Sequence, residues 1–291
     1  MERALLILNP AAGRGRGHEA SDLVRGALTR EGWTVEVAET RGPNDSETLE
    51  RVNDGYDLLL PVGGDGTLHE ALNHWRGPER HIPLMPIPAG SGNSLALDLD
   101  VEHAEDAVRG ILSGRRRALD GIRVTLDGDR VLRSANIVGW GAAARINARA
   151  ERFRWAGQRR YDVSSACEIL SPILPWANAT VDGARDLRSL LGVASVTRHS
   201  GRGMQVAPDA VHDDGLFDVV TIRRGFRPRL LVLLAAVQSG AHTRSGLVEQ
   251  RRAHTLELEI EDHAGLVVDG EWIAARRARL EILPELVQLW C

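Results

Sequence analysis

The chain contains no lysine; its basic residues other than histidine are all arginine, 36 in number. A phosphate-loop lysine is therefore excluded, and a nucleotide site here must rely on guanidinium groups, backbone amides and metal. Cysteine is nearly absent too. Cys167 and Cys291 are too few and too far apart for a disulfide framework or a zinc site. Nor is there an excess of one charge: the formal net charge is -4, and without a basic surplus no nucleic-acid partner is expected. Long apolar runs are also missing. The longest, Leu230–Val237, is far below the roughly 20 residues that span a bilayer. The apolar N-terminal stretch Ala4–Leu8 stops at Asn9-Pro10, which reads as a strand rather than a signal peptide. A cytoplasmic protein is expected.

What is present points to a globular chain of more than one domain. At 291 residues and 43% apolar content it can bury two cores. Its first part alternates strand and helix patterns: strands at Ala4–Leu8, Thr34–Ala38, Leu58–Val62 and Leu84–Ile87, and helices at Glu19–Glu31, Ser46–Val52 and Thr67–Trp75. That order predicts a parallel sheet with helices on both faces and ligands at the carboxyl ends of its strands. After Asp120 the pattern turns β-rich. Ile122–Leu126 and Arg130–Leu132 flank an Asp-Gly turn, and Ser134–Gly139, Leu190–Thr197, Phe217–Ile222, Thr255–Ile260 and Gly265–Val268 read as strands. Two helices, Tyr161–Leu170 and Pro228–Gly240, interrupt them. The expected division is an α/β domain over 1–120 and a β-rich domain over 121–291, with the last ~15 residues able to return to the first.

Three Gly-rich turns follow strands of the first part. Asn9-Pro10-Ala11-Ala12-Gly13-Arg14-Gly15-Arg16-Gly17 lacks the ending of a Walker loop. Gly63-Gly64-Asp65-Gly66-Thr67 combines phosphate-binding glycines with a carboxylate. A carboxylate repels phosphate, so its presence there points to a metal ligand or a base, and hence to phosphoryl transfer; the competing reading is a helix cap. Pro86-Ile87-Pro88-Ala89-Gly90-Ser91-Gly92-Asn93-Ser94 is stiffened by proline and opened by glycine, with a helix expected from about Ser94. Further on, Asp209, Asp213, Asp214 and Asp218 surround Gly215, as a hard cation or a solvated turn would require. Val268-Asp269-Gly270-Glu271 reads in isolation as a hairpin turn.

Taken in order, Asn9-Pro10, the Gly-Gly-Asp-Gly-Thr block, Pro-Ala-Gly-Ser-Gly-Asn, Ala-Pro-Asp-Ala with Asp-Asp-Gly, and Val-Asp-Gly-Glu resemble the diacylglycerol kinase catalytic family of lipid kinases. The resemblance covers nearly the whole chain. Within the family it is closest to the sphingosine kinase-like branch, through Pro88–Asn93, Trp140-Gly141 and the segment 151–161. It implies an α/β nucleotide-binding domain, a β-sandwich-like domain and an ATP site in the cleft between them. It implies ATP with Mg2+, and a lipid whose primary hydroxyl receives the γ-phosphoryl group.

The site residues it implies are these. Asp65 is the first candidate for the base and Glu271 the second. Arg154 and Arg160 contact the phosphates. Asn9, Pro10, Ala11, Thr40, Asn44 and Glu70 join Gly63, Gly64, Gly66 and Thr67 on the nucleotide side, with Gly90, Ser91, Gly92, Asp269 and Gly270. Asn93 and Asn147 face the lipid, and Asp213, Asp214 and Leu216 form a metal site. Asn147 stands where sphingosine kinases carry an aspartate that meets the sphingoid head, and Arg145 where a second acid is frequent. A neutral amide cannot pair with an ammonium, so diacylglycerol or another neutral lipid alcohol stands beside a sphingoid base as acceptor. A soluble-metabolite kinase and a non-catalytic lipid- or nucleotide-binding protein are the alternatives. The apolar segment Phe226–Val237 corresponds to a region that lines the acyl pocket in sphingosine kinases; its plain reading is a buried helix. Transient peripheral membrane contact is expected, and the oligomeric state is open between monomer and homodimer.

Overall fold

The computed structural model describes residues 1–90, 92–153, 160–171, 176–201, 203–223, 225–260 and 264–290. It divides into two compact units at Gly121/Ile122; a short piece at Gly201–Gly203 and the chain from Leu283 onward join the first.

The first unit is built on a four-stranded parallel sheet in the order Thr34–Glu39, Arg3–Leu8, Leu58–Gly63, Ile87–Pro88. The middle strands are uninterrupted apolar runs, and Ala4–Leu8 and Leu58–Gly63 are buried throughout. Such runs suit a sheet covered on both faces. Helices Arg16–Arg30, Asp65–His74 and Ala104–Ser113 follow these strands. Val24, Leu28, Ala107 and Ile111 share one core with Leu6, Leu60 and Val62.

The fourth strand differs from its expected place. Leu84 makes only an isolated bridge to Leu59, and the paired strand is Ile87–Pro88. Pro83, Pro86 and Pro88 lack the amide a longer ladder needs. Ile82–Pro83 instead lies beside Val287 and Gln288 in parallel, and Asp120 Oδ1 accepts the Glu285 amide at 2.8 Å. The end of the chain is thus bonded into the first unit.

The second unit is a sandwich. One sheet runs Ala184–Ser189, Ala177–Val181, Thr255–Ile260, Arg277–Trp290, Arg116–Leu126, Arg130–Ser134. The other runs Val248–Ala253, Phe217–Ile222, Leu191–Ser195, Ile137–Gly141, Leu266–Val268, Glu271–Ile273. Strand Thr255–Ile260 shows why: Leu256, Leu258 and Ile260 enter the core while Glu257 and Glu259 face out. Ile122, Val124, Val138, Trp140, Phe217 and Val219 complete that core. Three hairpins turn on Asp-Gly with both residues at positive φ: Asp127-Gly128, Asp182-Gly183 and Asp269-Gly270. This is the geometry a two-residue hairpin favours. Each aspartate also accepts backbone amides of a neighbouring segment: Arg276 and Arg277 for Asp127, His254 and Thr255 for Asp182, Ile137 for Asp269.

Candidate active site

Because the first sheet is parallel, its carboxyl-end turns share one edge, and they touch one another. Asn9 sits just past Arg3–Leu8; its amide donates to Val62 O and its Oδ1 accepts the Ala11 amide at 3.0 Å. Its Nδ2 donates to Thr67 Oγ1 at 3.4 Å, which ties the first turn, with Pro10 beside it, to the second. Thr40 directs its amide and hydroxyl to Leu8 O at 2.9 and 3.3 Å. Asn44 donates its amide to Glu70 Oε1 at 2.7 Å. Asn44 and Glu70 therefore hold the loop after Thr34–Glu39 against the helix that begins at Asp65, while Thr40 ties the start of that loop to strand Arg3–Leu8.

The second and third turns meet closely. A Cβ on Gly90 would lie 2.5 Å from Gly64 Cα and 2.7 Å from Gly64 N, so no side chain fits between them. Gly92 lies against the carboxylate in the same way, since a Cβ there would be 2.6 Å from Asp65 Oδ2. Asp65, half-buried, opens helix Asp65–His74 after Gly64, and Gly66 and Thr67 follow it in the first turn. Its carboxylate does not cap that helix. Oδ1 accepts the Ser94 amide at 2.7 Å and Oδ2 the Ser94 hydroxyl at 2.8 Å, at the start of the short helix Ser94–Asp98. Asn93, in the left-handed region at φ 55°, accepts the Gly90 amide on Oδ1 and donates from Nδ2 to Gly90 O, both at 3.1 Å. Both ends of its side-chain amide thus close the turn onto Gly90. Pro61, Gly63, Gly64, Asp65, Leu68, Pro88 and Asn93 are among the residues lining a small cleft beside the carboxylate.

In the second unit, the helix Ala142–Arg152 begins after Trp140-Gly141. Trp140 is core, its indole donating to Ser189 Oγ at 3.0 Å. Asn147 lies on this helix at 8% exposure, and its Oδ1 is buried with no hydrogen-bond partner among the described residues. A buried orphan acceptor costs ~1–3 kcal/mol, and a donor from outside the chain would relieve it. Arg145 and Arg149 on the same helix both bond Glu168 at 3.0 Å. Burial raises the Glu168 carboxyl above its ordinary value, against the pull of the two arginines. Arg145 and Arg149, one turn apart, thus share one carboxylate. Ala142, Leu190, Leu230 and Leu233 form an apolar cluster over the same region.

Glu271 is exposed and opens strand Glu271–Ile273; the helix Ala142–Arg152 packs against that strand. Asp269, just before it, is 2% exposed. Its Oδ1 accepts the Ser134 hydroxyl at 2.5 Å and the Ile137 amide at 3.1 Å. Its carboxylate thus braces the hairpin that presents Gly270 and Glu271.

The acidic stretch is partly engaged by other groups. Asp214 is ion-paired with Arg252 and accepts the Leu216 amide at 3.0 Å. Among the described residues, no three carboxylate, histidine or cysteine side chains are grouped to hold a metal, Asp213 included. Burial, with Asp209 adding to it, pushes the Asp218 carboxyl up to about 6. Ser91 and Arg154 lie outside the described residues, and Arg160 is the first residue of helix Arg160–Leu170.

Two contributors escaped the sequence reading. From sequence Ser94 reads as a helix start, not as the partner of Asp65; its place immediately after Gly-Asn is the signal. Glu168 sat within an expected helix as an ordinary acid, and nothing in its spacing from Arg145 and Arg149 announced the pairing.

Residues 3–124 match the family model described as the diacylglycerol kinase catalytic domain. Residues 136–291, more than half of the chain, match the YegS C-terminal NAD kinase beta sandwich-like domain. A protein of Mycobacterium tuberculosis named diacylglycerol kinase is 29% identical over 97% of this chain and 93% of its own length. Sphingosine kinase 1 of Arabidopsis thaliana is 24% identical over 95% of this chain and 69% of its own. The crystal structure of a diacylglycerol kinase from Bacillus anthracis superposes with a TM-score of 0.74 at 22% identity, covering 99% of this chain and 96% of that one.

Proposed function

The chain belongs to the diacylglycerol kinase catalytic family with a YegS-type C-terminal domain, a family of lipid kinases, and from that premise we propose that it transfers the γ-phosphoryl group of ATP to the primary hydroxyl of a neutral, diacylglycerol-like lipid. The observation that carries this reading is the braced Asp65 carboxylate at the meeting of the Gly64 and Gly90 turns.

The chemistry needs three things. The phosphates need donors that approach closely, and the glycine turns leave that space, with backbone amides in place of a lysine. The lipid alcohol is far too weak an acid to be ionised at neutral pH, so a base must take its proton as attack proceeds, worth about 10²–10⁴-fold. Asp65 fits that role, because Ser94 fixes the orientation of its carboxylate. The acceptor oxygen bonds to the γ-phosphorus, the bond from phosphorus to the β–γ bridging oxygen breaks, ADP leaves, and the proton passes to Asp65. Magnesium, bound with the nucleotide, supplies neutralisation of phosphate charge. Arg154 and Arg160 add guanidinium contacts, and Glu271, on the hairpin braced by Asp269, is the second candidate for the base. The converging acids that a separate metal site at Asp213, Asp214 and Leu216 would want are not what supports it; the motif resemblance is.

The choice of a neutral acceptor rests on Asn147. Its oxygen, without a partner among the described residues, can accept from a lipid hydroxyl, and a neutral amide cannot pair with an ammonium head. The test is transfer from radiolabelled ATP to diacylglycerol, sphingosine and a panel of soluble alcohols. Labelled phosphatidic acid as the main product supports the reading. Preference for sphingosine overturns the head-group assignment, and transfer only to soluble acceptors overturns the lipid reading itself.

A further inference from the structure

The apolar helix Arg227–Ala236 is covered on only one side. Leu230 and Leu233 are buried, whereas Phe226 is 73% exposed, Val232 69% and Leu231 38%. Leu170, at the end of the neighbouring helix, is 62% exposed. Leu170 lies at the same end of this helix as Phe226, because the Arg227 guanidinium donates to Leu170 O at 3.4 Å and Ser171 O at 2.8 Å; Leu231 and Val232 follow within the next turn. Large apolar side chains grouped on a surface mark a binding face more than scattered ones do.

Charge says what covers it. From Thr221 to Val248 the chain carries five arginines and neither aspartate nor glutamate, within a protein whose net charge is -4. Arg223 is paired with Glu249 at 2.5 Å. Arg229, exposed one turn into the helix, makes no ion pair among the described residues. A rim of guanidinium around protruding aromatic and aliphatic groups is complementary to an anionic phospholipid surface: the apolar groups enter the acyl boundary and the arginines meet phosphates.

We propose that the corner formed by Phe226, Leu231, Val232 and Leu170, with Arg229 at its rim, inserts into the surface of an anionic phospholipid bilayer and so brings the protein to its acceptor. This inference rests on the reading of a lipid acceptor, and its test is separable from that reading because association is measured without ATP and on vesicles that contain no acceptor. Wild-type protein is floated with phosphatidylglycerol–phosphatidylcholine vesicles and with phosphatidylcholine vesicles alone. The expected result is flotation on the anionic vesicles that weakens with salt. Phe226→Ser combined with Val232→Ser should lower the partition coefficient at least about tenfold, and Arg229→Gln a few-fold, with the thermal transition of each variant unchanged. Wild type remaining in solution with the anionic vesicles overturns the proposal. So does undiminished flotation of the double variant, which would put the contact elsewhere. A dimer of the wild-type protein that dissociates in the Phe226→Ser variant overturns it in favour of a second copy of the chain. Flotation that follows this pattern while no lipid is phosphorylated leaves the membrane face standing and overturns the kinase reading alone.

Discussion

Asp65 and Ser94, 29 residues apart, are joined by two hydrogen bonds: Oδ1 accepts the serine amide and Oδ2 its hydroxyl. One residue belongs to the turn after Leu58–Gly63 and the other to the turn after Ile87–Pro88. The pair fixes the direction of the carboxylate and ties together the turns between which phosphate would lie. The same contact caps the first turn of Ser94–Asp98, so a stabilising bond and a site-building bond are one.

If Asp65 takes the proton, Asp65→Asn keeps the Ser94 hydroxyl bond through the amide and removes the basicity. Turnover at saturating ATP and acceptor should fall at least about 10²-fold, while nucleotide affinity changes little. Glu271→Gln, measured beside it, should cost less. Near-normal turnover of the Asp65 variant with a collapse of the Glu271 variant would move the base to the second residue.

Removing the brace is milder. Ser94→Ala deletes one of the two bonds and should cost about 1 kcal/mol of stability. The carboxylate then rotates more freely, and kcat should fall with KM for ATP nearly constant. In the double variant with Asp65→Asn the kcat losses should be less than multiplicative, because both substitutions act through one contact. Fully multiplicative losses would deny the coupling.

Gly90→Ala tests the contact between the turns. Its Cβ would lie 2.5 Å from Gly64 Cα, and backbone rather than a flexible side chain must yield. ATP affinity should drop at least about tenfold, since cradle geometry is what positions the phosphates. Titration calorimetry with a non-hydrolysable nucleotide reads this directly; unchanged affinity would remove the turn contact from the nucleotide site.

Asn147→Asp should shift the acceptor ratio. An added carboxylate can pair with an ammonium, which the neutral amide cannot. The ratio of kcat/KM for sphingosine over diacylglycerol should rise, and a ratio that stays constant would place head-group recognition elsewhere.

His242 gives a pH signature. It is 2% exposed, with Nε2–H donating to Val206 O at 3.2 Å, and burial lowers its pKa below the ordinary 6.5. The unfolded chain then binds the extra proton first, so this group's contribution to stability is complete above about 6.5 and is lost as pH falls through that value and below. Thermal unfolding should show His242→Gln losing less stability than wild type between neutral and mildly acidic pH. Equal losses in both proteins would mean that His242 does not titrate differently on folding.

The sequence carried much of the fold because burial pattern and turn chemistry are local. Phe217–Ile222 and Thr255–Ile260 could be read to the residue, the second from strict alternation, and Asp127-Gly128 announced its hairpin. The helix Ala142–Arg152 was not legible: its buried face is mostly alanine, too small to stand out from its arginines as an apolar stripe. Strand Arg277–Trp290 is hard to read because two of its neighbours, Arg116–Leu126 and Ile82–Pro83, lie far back along the chain.

The motifs by themselves determined the family resemblance, the three Gly-rich turns and the absence of lysine from any phosphate site. Those are matters of residue type and order, and order survives without coordinates. Only the tertiary structure decided that Asp65 is held by Ser94, that Asn93 spends its amide on Gly90, that Asp269 is a buried brace, and that Asn147 keeps a buried acceptor without a partner among the described residues. Hydrogen-bond partners and burial depend on which distant segments the fold brings together, and no spacing along the chain encodes that.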